Sequence, residues 1–285
     1  MMIQPIDTPE QANDLVQLQA IVWEMDIAEA VPGHILIAIA KNGGLLLGAY
    51  EGEKLIGFTL GWLGTTDVAS FPQRTSCGPL KLVSHMTGIL PEYRDRRVGY
   101  RLKLAQREWA IERGLELVTW TYDPLESRNA NLNMRRLGAT CQTYLRDVYG
   151  ELPDRLSVGI ATDRFQVEWW VTNERVQERL ATSAGGWPTL TRASAGVQVL
   201  NPATQGPDGQ PRPAERPAAL STARLLVEIP ADMQAIRRAD LALGVAWRDH
   251  TRFIFESAFA AGYRVVDLIY ERDPSFPRSF YLLDR

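Results

Sequence analysis

Apolar positions in this chain fall at helical spacing first and in strand-like runs afterwards. Over residues 9–25, Leu15, Leu18, Val22 and Met25 share one face of a helix that begins near Pro9. A second, short helix follows Pro32 through Ile35, Ile37 and Ile39 and is stopped by Gly43-Gly44. Two apolar runs, Leu45 to Tyr50 and Leu55 to Leu60, flank the polar turn Glu51-Gly52-Glu53-Lys54, which predicts a β-hairpin. Lys81 to Leu90 reads as a strand closed by Pro91, since a residue before proline favours extended backbone. From Val98 to Arg113 the pattern turns helical, with a stripe of Val98, Leu102, Ala105 and Trp109 and a stop at Gly114. Leu115 to Thr121 is then a strand. This strand–loop–helix–strand length predicts a βαβ unit with a right-handed crossover.

Asp123-Pro124 marks a turn. Residues 127–137 predict a short helix ending at Gly138, and Tyr144 to Tyr149 and Phe165 to Val171 predict two strands. Residues 201–217 hold five prolines and two glycines and read as a long loop or linker. Beyond it come a strand at Leu225 to Ile229, helices over roughly 231–243 and 246–261, and strands at Val265 to Tyr270 and Ser279 to Leu283.

Composition narrows the class. The chain has 285 residues, 45% hydrophobic and 23% charged, as an ordinary globular protein has. A net charge of −3 gives no general attraction to nucleic acid. Arginine outnumbers lysine 27 to 4, which lowers the weight of any single arginine as a clue. Cys77 and Cys141 are far apart, and His34, His85 and His250 have no ligand spacing, so no metal site and no disulfide framework is expected. The N-terminus has no secretory pattern and no segment has the length of a membrane span, so a cytoplasmic protein without a membrane partner is expected.

The most informative stretch runs from Ile89 through Lys103, where a strand end, a basic loop and a helix start follow one another. Such a junction aims several backbone N–H groups at one spot on the positive end of a helix dipole, which suits a pyrophosphate. The element order and three segments resemble the GNAT superfamily of N-acetyltransferases. The hairpin Ala49 to Phe58 is similar to that family's second and third strands, and Leu90-Pro91-Glu92-Tyr93-Arg94 resembles the end of its fourth. The family's acyl-CoA loop reads Gln/Arg-x-x-Gly-x-Gly/Ala. Arg94 to Gly99 fits it at the first and last positions, and Arg97 stands where the first glycine is expected. An arginine is compatible with the loop if its backbone angles are ordinary and its side chain points outward.

The resemblance implies an α/β (α+β) fold, a mixed, strongly twisted central sheet flanked by helices; the chain adds a smaller C-terminal α/β extension that the ordinary small family member lacks. Residues 1–184 read as the acyl-CoA-binding domain, 185–219 as a Pro-rich loop or linker, and 220–285 as a strand–helix–strand extension that packs on the core or makes a dimer interface. The implied activity is transfer of an acetyl or other short acyl group from acyl-CoA to an amine of a small molecule by direct attack. Backbone groups of Ile89 and Leu90 would hold the thioester and its oxyanion. Arg96, Arg97, Val98 and Gly99 would hold the pyrophosphate, with Arg94 and Arg101 as charge partners.

An alkylamine must lose a proton before attack, and His85 on the fourth strand has the right titration range, with Glu92 and Asp123 as weaker alternatives. Many family members carry a Tyr in the helix after the fifth strand. Aligning Leu137-Gly138-Ala139 with the family's Leu-Gly-Phe puts Met134 at that Tyr and Ser127 at the usual CoA-contacting Asn. Thiolate protonation would then fall to Tyr144 or water. Ser127 or Asn129 would cap the short helix, or Asn129 and Asn133 would line a pocket. Trp169-Trp170 reads as core, and Arg135-Arg136 and Arg237-Arg238 as solvated faces. A non-catalytic CoA- or partner-binding module and a purely structural role are the alternatives that Arg97 and Met134 leave open.

Overall fold

A computed structural model describes residues 1–66, 78–150, 159–182, 197–273 and 275–285; Cys77 lies outside the described residues. Two compact units divide the chain. Among the described residues, those within 1–120 together with Trp170–Thr172 form the first, and those within 121–150, Gly159–Trp169 and 173–285 the second.

The first unit carries strands β1 (Met2–Pro5), β2 (Leu45–Glu51), β3 (Lys54–Thr65), β4 (Leu80–Ile89) and β5 (Leu117–Tyr122) and helices α1 (Pro9–Trp23), α2 (Gly33–Lys41) and α3 (Val98–Glu112). The strands lie in the order β1-β2-β3-β4-β5. The first four are antiparallel and β5 runs parallel to β4, as the βαβ reading requires. α1 starts on a capping box, in which Thr8 accepts from the Gln11 N–H and the Gln11 side chain reaches back. Alternation along β3 sends Phe58 and Leu60 into one cluster with Ile6, Leu15, Leu18 and Leu36 of the α1–α2 side. On the α3 side, Ala49 and Ile56 meet Val98 and Leu102. The buried face of α3 is Val98, Leu102, Lys103, Gln106 and Ala110, whereas Ala105 and Trp109 of the predicted stripe are only half-buried. Residues 170–172 belong here because Val171 donates to the Glu116 carbonyl and accepts from Arg107 Nε.

The second unit carries β6 (Thr140–Leu145), β7 (Arg164–Trp170), β8 (Gln198–Val199), β11 (Arg224–Ile229), β12 (Arg264–Glu271) and β13 (Arg278–Asp284), in the order β7-β6-β12-β13-β11-β8. β9 (Thr204–Gln205) and β10 (Pro211–Arg212) make a separate ladder. Its helices are α4 (Ser127–Ala130), which continues as one π turn over Asn131–Arg136, then α5 (Glu174–Ala181), α6 (Met233–Ala239) and α7 (Leu241–Ala260). Phe165, Phe255 and Tyr281 centre its core, with the Phe165 and Phe255 rings edge to face at 4.7 Å.

Several sequence expectations shift. The strand expected at residues 144–149 lies at Thr140–Leu145. Residues 146–149 instead turn on Asp147, whose carboxylate accepts from the Thr162 N–H and hydroxyl. The Pro-rich stretch is partly ordered, with Leu200 and Asn201 buried; Asn201 exchanges two hydrogen bonds with the Glu228 backbone. The last two helices divide at Asp240, which caps α7 through the Leu243 N–H. Arg135 is buried rather than solvated and donates to the Leu268 carbonyl. Trp169 is core, as expected, and donates to the Leu137 carbonyl. No helix among the described residues is long and apolar enough to cross a membrane.

Asp163 is the electrostatic anchor of the second unit. Its fully buried carboxylate takes a two-pronged bond from Arg252 at 2.7 and 3.0 Å, the Tyr144 hydroxyl at 2.7 Å and the Asp147 N–H at 3.0 Å. Burial by itself would raise this carboxyl; the Arg252, Tyr144 and Asp147 bonds outweigh it and hold the pKa below the ordinary value. A depressed carboxyl contributes stability that is complete above its unfolded pKa and is lost as pH falls through the folded one. Asp163→Asn should therefore cost about 3–5 kcal/mol near neutral pH. In urea titrations the gap to wild type should narrow as pH drops from 5 toward ~3, around and below the unfolded Asp pKa of about 3.9. A gap independent of pH would contradict this assignment.

Candidate active site

β4 pairs with β3 along its length but with β5 at only two positions, Leu82 with Val118 and Val83 with Thr119. Past these pairs β4 is freed from β5. It also bulges there: Leu60 faces Met86 while Gly61 faces Ser84, so His85 is the extra residue. The ladder to β3 decides which backbone groups are free. The Leu90 N–H donates to the Ile56 carbonyl at 3.0 Å and is committed to β3. Antiparallel alternation turns the Ile89 N–H to the opposite edge, toward the side where β5 no longer pairs. Of the two expected oxyanion donors, Ile89 has the required direction and Leu90 does not.

The chain then makes one tight turn, Pro91–Tyr93, and enters α3. Asp95 and Arg97 both have positive φ, 68° and 59°. Arg97 therefore does not have the ordinary angles expected of it. It adopts the left-handed conformation that glycine holds freely, at a cost of about 1–2 kcal/mol. Arg97 is the N-cap residue of α3 and its side chain makes no capping hydrogen bond. The first-turn N–H groups have no intrahelical partner. Val98, buried against Ile56 and Ala49, pins the helix start beside β3.

The arginines of the loop face outward and have other contacts. Arg94 donates to the Val22 carbonyl, Arg96 lies 4.8 Å over the Tyr93 ring and 4.0 Å from Glu51, and Arg101 donates to the Met1 carbonyl. Glu92 pairs with Lys54 at 3.1 Å. His85 is exposed, its ring tilted by 42° against that of Trp62 at 4.6 Å, and partial desolvation lowers its pKa from the ordinary imidazole value.

At the bulge lies a polar group of side chains that the apolar pattern of α3 does not reveal. Lys103 of α3 is 4% exposed. Its Nζ donates to Ser84 Oγ at 2.8 Å and Gln106 Oε1 at 3.2 Å and lies 4.0 Å from the centre of the Trp120 ring. Gln106 in turn donates to Ser84 and Thr59, and Thr59 meets Thr87 at 2.9 Å. Ser84 and Trp120 are the residues immediately after the last β4–β5 pair on each strand. The amine thus sits at the vertex where the strands part. Among the described residues no carboxylate pairs with it, and burial pulls its pKa down to about 7. The signal in the sequence was the i, i+4 series 98, 102, 106, 110, which places Gln106 on the buried face and Lys103 beside it.

No protein-family model and no curated protein matches the chain. Solved structures do resemble it. One is Naa20 from Chaetomium thermophilum in complex with a bisubstrate analogue, at 15% identity and TM-score 0.46, covering 65% of this chain and 94% of that one. An aminoglycoside 6'-acetyltransferase type Ii is similar at 15% identity and TM-score 0.46, covering 61% and 99%. A GNAT-family acetyltransferase from Streptococcus pneumoniae is similar at 16% identity and TM-score 0.44, covering 59% and 96%. At these values the likeness carries no substrate or residue role over to this chain.

The other expected site residues lie in the second unit. Asp123 accepts from the Leu125 N–H and pairs with the buried Arg248. Tyr144 donates to Asp163, and burial, with that carboxylate, raises its pKa well above the ordinary phenol value. Ser127 bonds Ser279 at 2.8 Å, Asn129 is exposed, and Glu126, whose side chain accepts from Gln234, takes the N-cap position of α4 without a side-chain capping bond, so neither Ser127 nor Asn129 caps. Asn133 is buried. No cluster of three or more metal-ligating side chains occurs among the described residues.

Lys103 gives this unit a defined pH response. Its folded pKa lies below the unfolded value of about 10.4, so the unfolded chain binds more protons between roughly pH 7 and 10 and stability rises with pH across that window. Lys103→Met should remove this slope. The variant is expected to be more stable than wild type at pH 7, with the difference shrinking toward pH 10 in denaturant titrations. A Met variant whose advantage grew with pH would refute the buried-amine account.

Proposed function

We propose that this chain is an acyl-CoA-dependent N-acyltransferase that acts on a small amine. One observation carries the reading: β4 parts from β5 after two residue pairs, and the strand leads within a few residues into the uncapped N-terminus of α3. The pair offers an extended, amide-like ligand a backbone edge and its anionic end a helix dipole. Acyl-CoA is a substrate here. Backbone N–H groups of Arg96, Arg97, Val98 and Gly99 hold the pyrophosphate, and the solvated Arg94 and Arg101 add positive field. The Ile89 N–H pairs with the extended, amide-bearing arm of the acyl-CoA, because a pyrophosphate held at residues 96–99 carries the thioester further along β4, to the bulge at His85.

The acceptor nitrogen attacks the thioester carbonyl, the C–S bond breaks, and the thiolate leaves with the bonding pair. His85, exposed beside Trp62 and with its pKa lowered, takes the proton of the attacking amine. The buried Met134, where the resemblance places the acid Tyr, favours a second reading, a CoA-binding module without turnover.

Calorimetry separates these readings from a structural role. Acetyl-CoA and desulfo-CoA should both bind, and Gly99→Trp, which puts a bulky side chain in the first turn of α3, should weaken both at least ten-fold. Absence of heat with either ligand at high protein concentration would defeat the acyl-CoA reading. Release of free thiol with a panel of amines, slowed in His85→Ala, distinguishes transferase from binding module.

A further inference from the structure

The chain has 31 basic residues and uses lysine at only four: Lys41, Lys54, Lys81 and Lys103. Lys41 and Lys54 are exposed and Lys81 is half-buried; Lys103 alone is buried. A permanent charge in a buried place is best served by arginine, whose guanidinium does not deprotonate in proteins. The chain instead places here the one basic side chain that can become a neutral nucleophile.

Three neighbours fix its position. Ser84 Oγ on β4 and Gln106 Oε1 on α3 accept from Nζ, and the Trp120 ring on β5 closes a third side. These groups surround the vertex of the β4–β5 parting, at the opposite end from the α3 N-terminus. From Ser84 to Ile89 is five residues of strand, about 16 Å at ~3.3 Å per residue. An extended thioester anchored by its pyrophosphate at the loop therefore runs its acyl end toward this vertex.

We propose that Lys103 is an acylation site of the protein itself: its ε-amine accepts the acyl group of acyl-CoA bound along β4. The inference rests on the acyl-CoA reading above. In the step, the neutral Nζ attacks the thioester carbonyl carbon and a C–N bond forms. The C–S bond breaks with its electron pair passing to sulfur, and the proton shed by nitrogen ends on that thiolate. The products are an Nε-acyl lysine and free CoA, with no further reactant. A desolvated amine whose folded pKa is about 7 is largely neutral at physiological pH, whereas exposed lysines remain protonated. Acylation would remove the titrating group and fill the vertex with an amide, closing the end of the site to the next acyl-CoA.

The test needs no acceptor. Full-length protein is incubated with acetyl-CoA at pH 6 and pH 8, and acetylation of each of the four lysines is followed by peptide mass spectrometry, with binding measured in parallel by calorimetry. Lys103 should be modified first. Its rate should rise several-fold, up to about ten-fold, between the two pH values, as the neutral fraction of an amine of pKa near 7 does. Urea-unfolded protein should lose this preference. Wild type is its own reference, because Lys41, Lys54 and Lys81 report plain chemical acylation. Acetyl-CoA that binds while Lys103 is modified no faster than these three would overturn the inference and leave the acyl-CoA reading standing. Failure of acetyl-CoA to bind would overturn both.

Discussion

The candidate site depends on one break in hydrogen bonding, the end of the β4–β5 ladder after Val83 and Thr119. A parallel pair normally satisfies the main chain of both strands, so a pair that stops after two residues leaves backbone groups that need another partner. The bulge at His85 accompanies that break and re-aims the strand just beyond it. Everything assigned to the site follows in order along β4: Ser84 at the vertex, His85 at the bulge, Ile89 with its N–H turned outward, and then the loop and the helix start.

Placing a lysine at such a vertex is an uneasy solution energetically. Desolvation opposes its charge, and no carboxylate among the described residues offsets that. Ser84, Gln106 and the Trp120 face satisfy the amine without neutralising it. The contrast with Asp163 is instructive. There the buried charge meets an opposite charge and two further donors, and the group is a structural clamp. Removing one partner of a buried ion pair leaves an uncompensated charge and destabilises the fold, whereas a buried base without a counter-ion is a candidate for chemistry.

Much of this was legible from spacing. The helices α1, α2 and α3, the hairpin and β4 lie within a few residues of where periodicity and glycine stops place them, because each buries one apolar face and ends on a clear signal. Register and polar burial were not legible. The strand expected at Tyr144 begins four residues earlier, since its terminal residues are held in a turn by Asp147 and Thr162, a contact no local pattern reveals. A stripe of apolar residues on α3 leaves out Lys103 and Gln106, whose burial depends on partners from β3 and β4. Arg97 shows the same limit: the sequence displays the missing glycine, but only the backbone shows that the left-handed conformation is kept without it.

The most direct measurement is amide hydrogen exchange followed residue by residue by NMR, with and without CoA. If the parted edge of β4 and the uncapped start of α3 form one ligand site, CoA should slow exchange at Ile89 and at the amides of residues 96–100 and leave those of β12 and β13 unchanged. Exchange at Ile89 and in the first turn of α3 that is the same with and without saturating CoA would contradict the account.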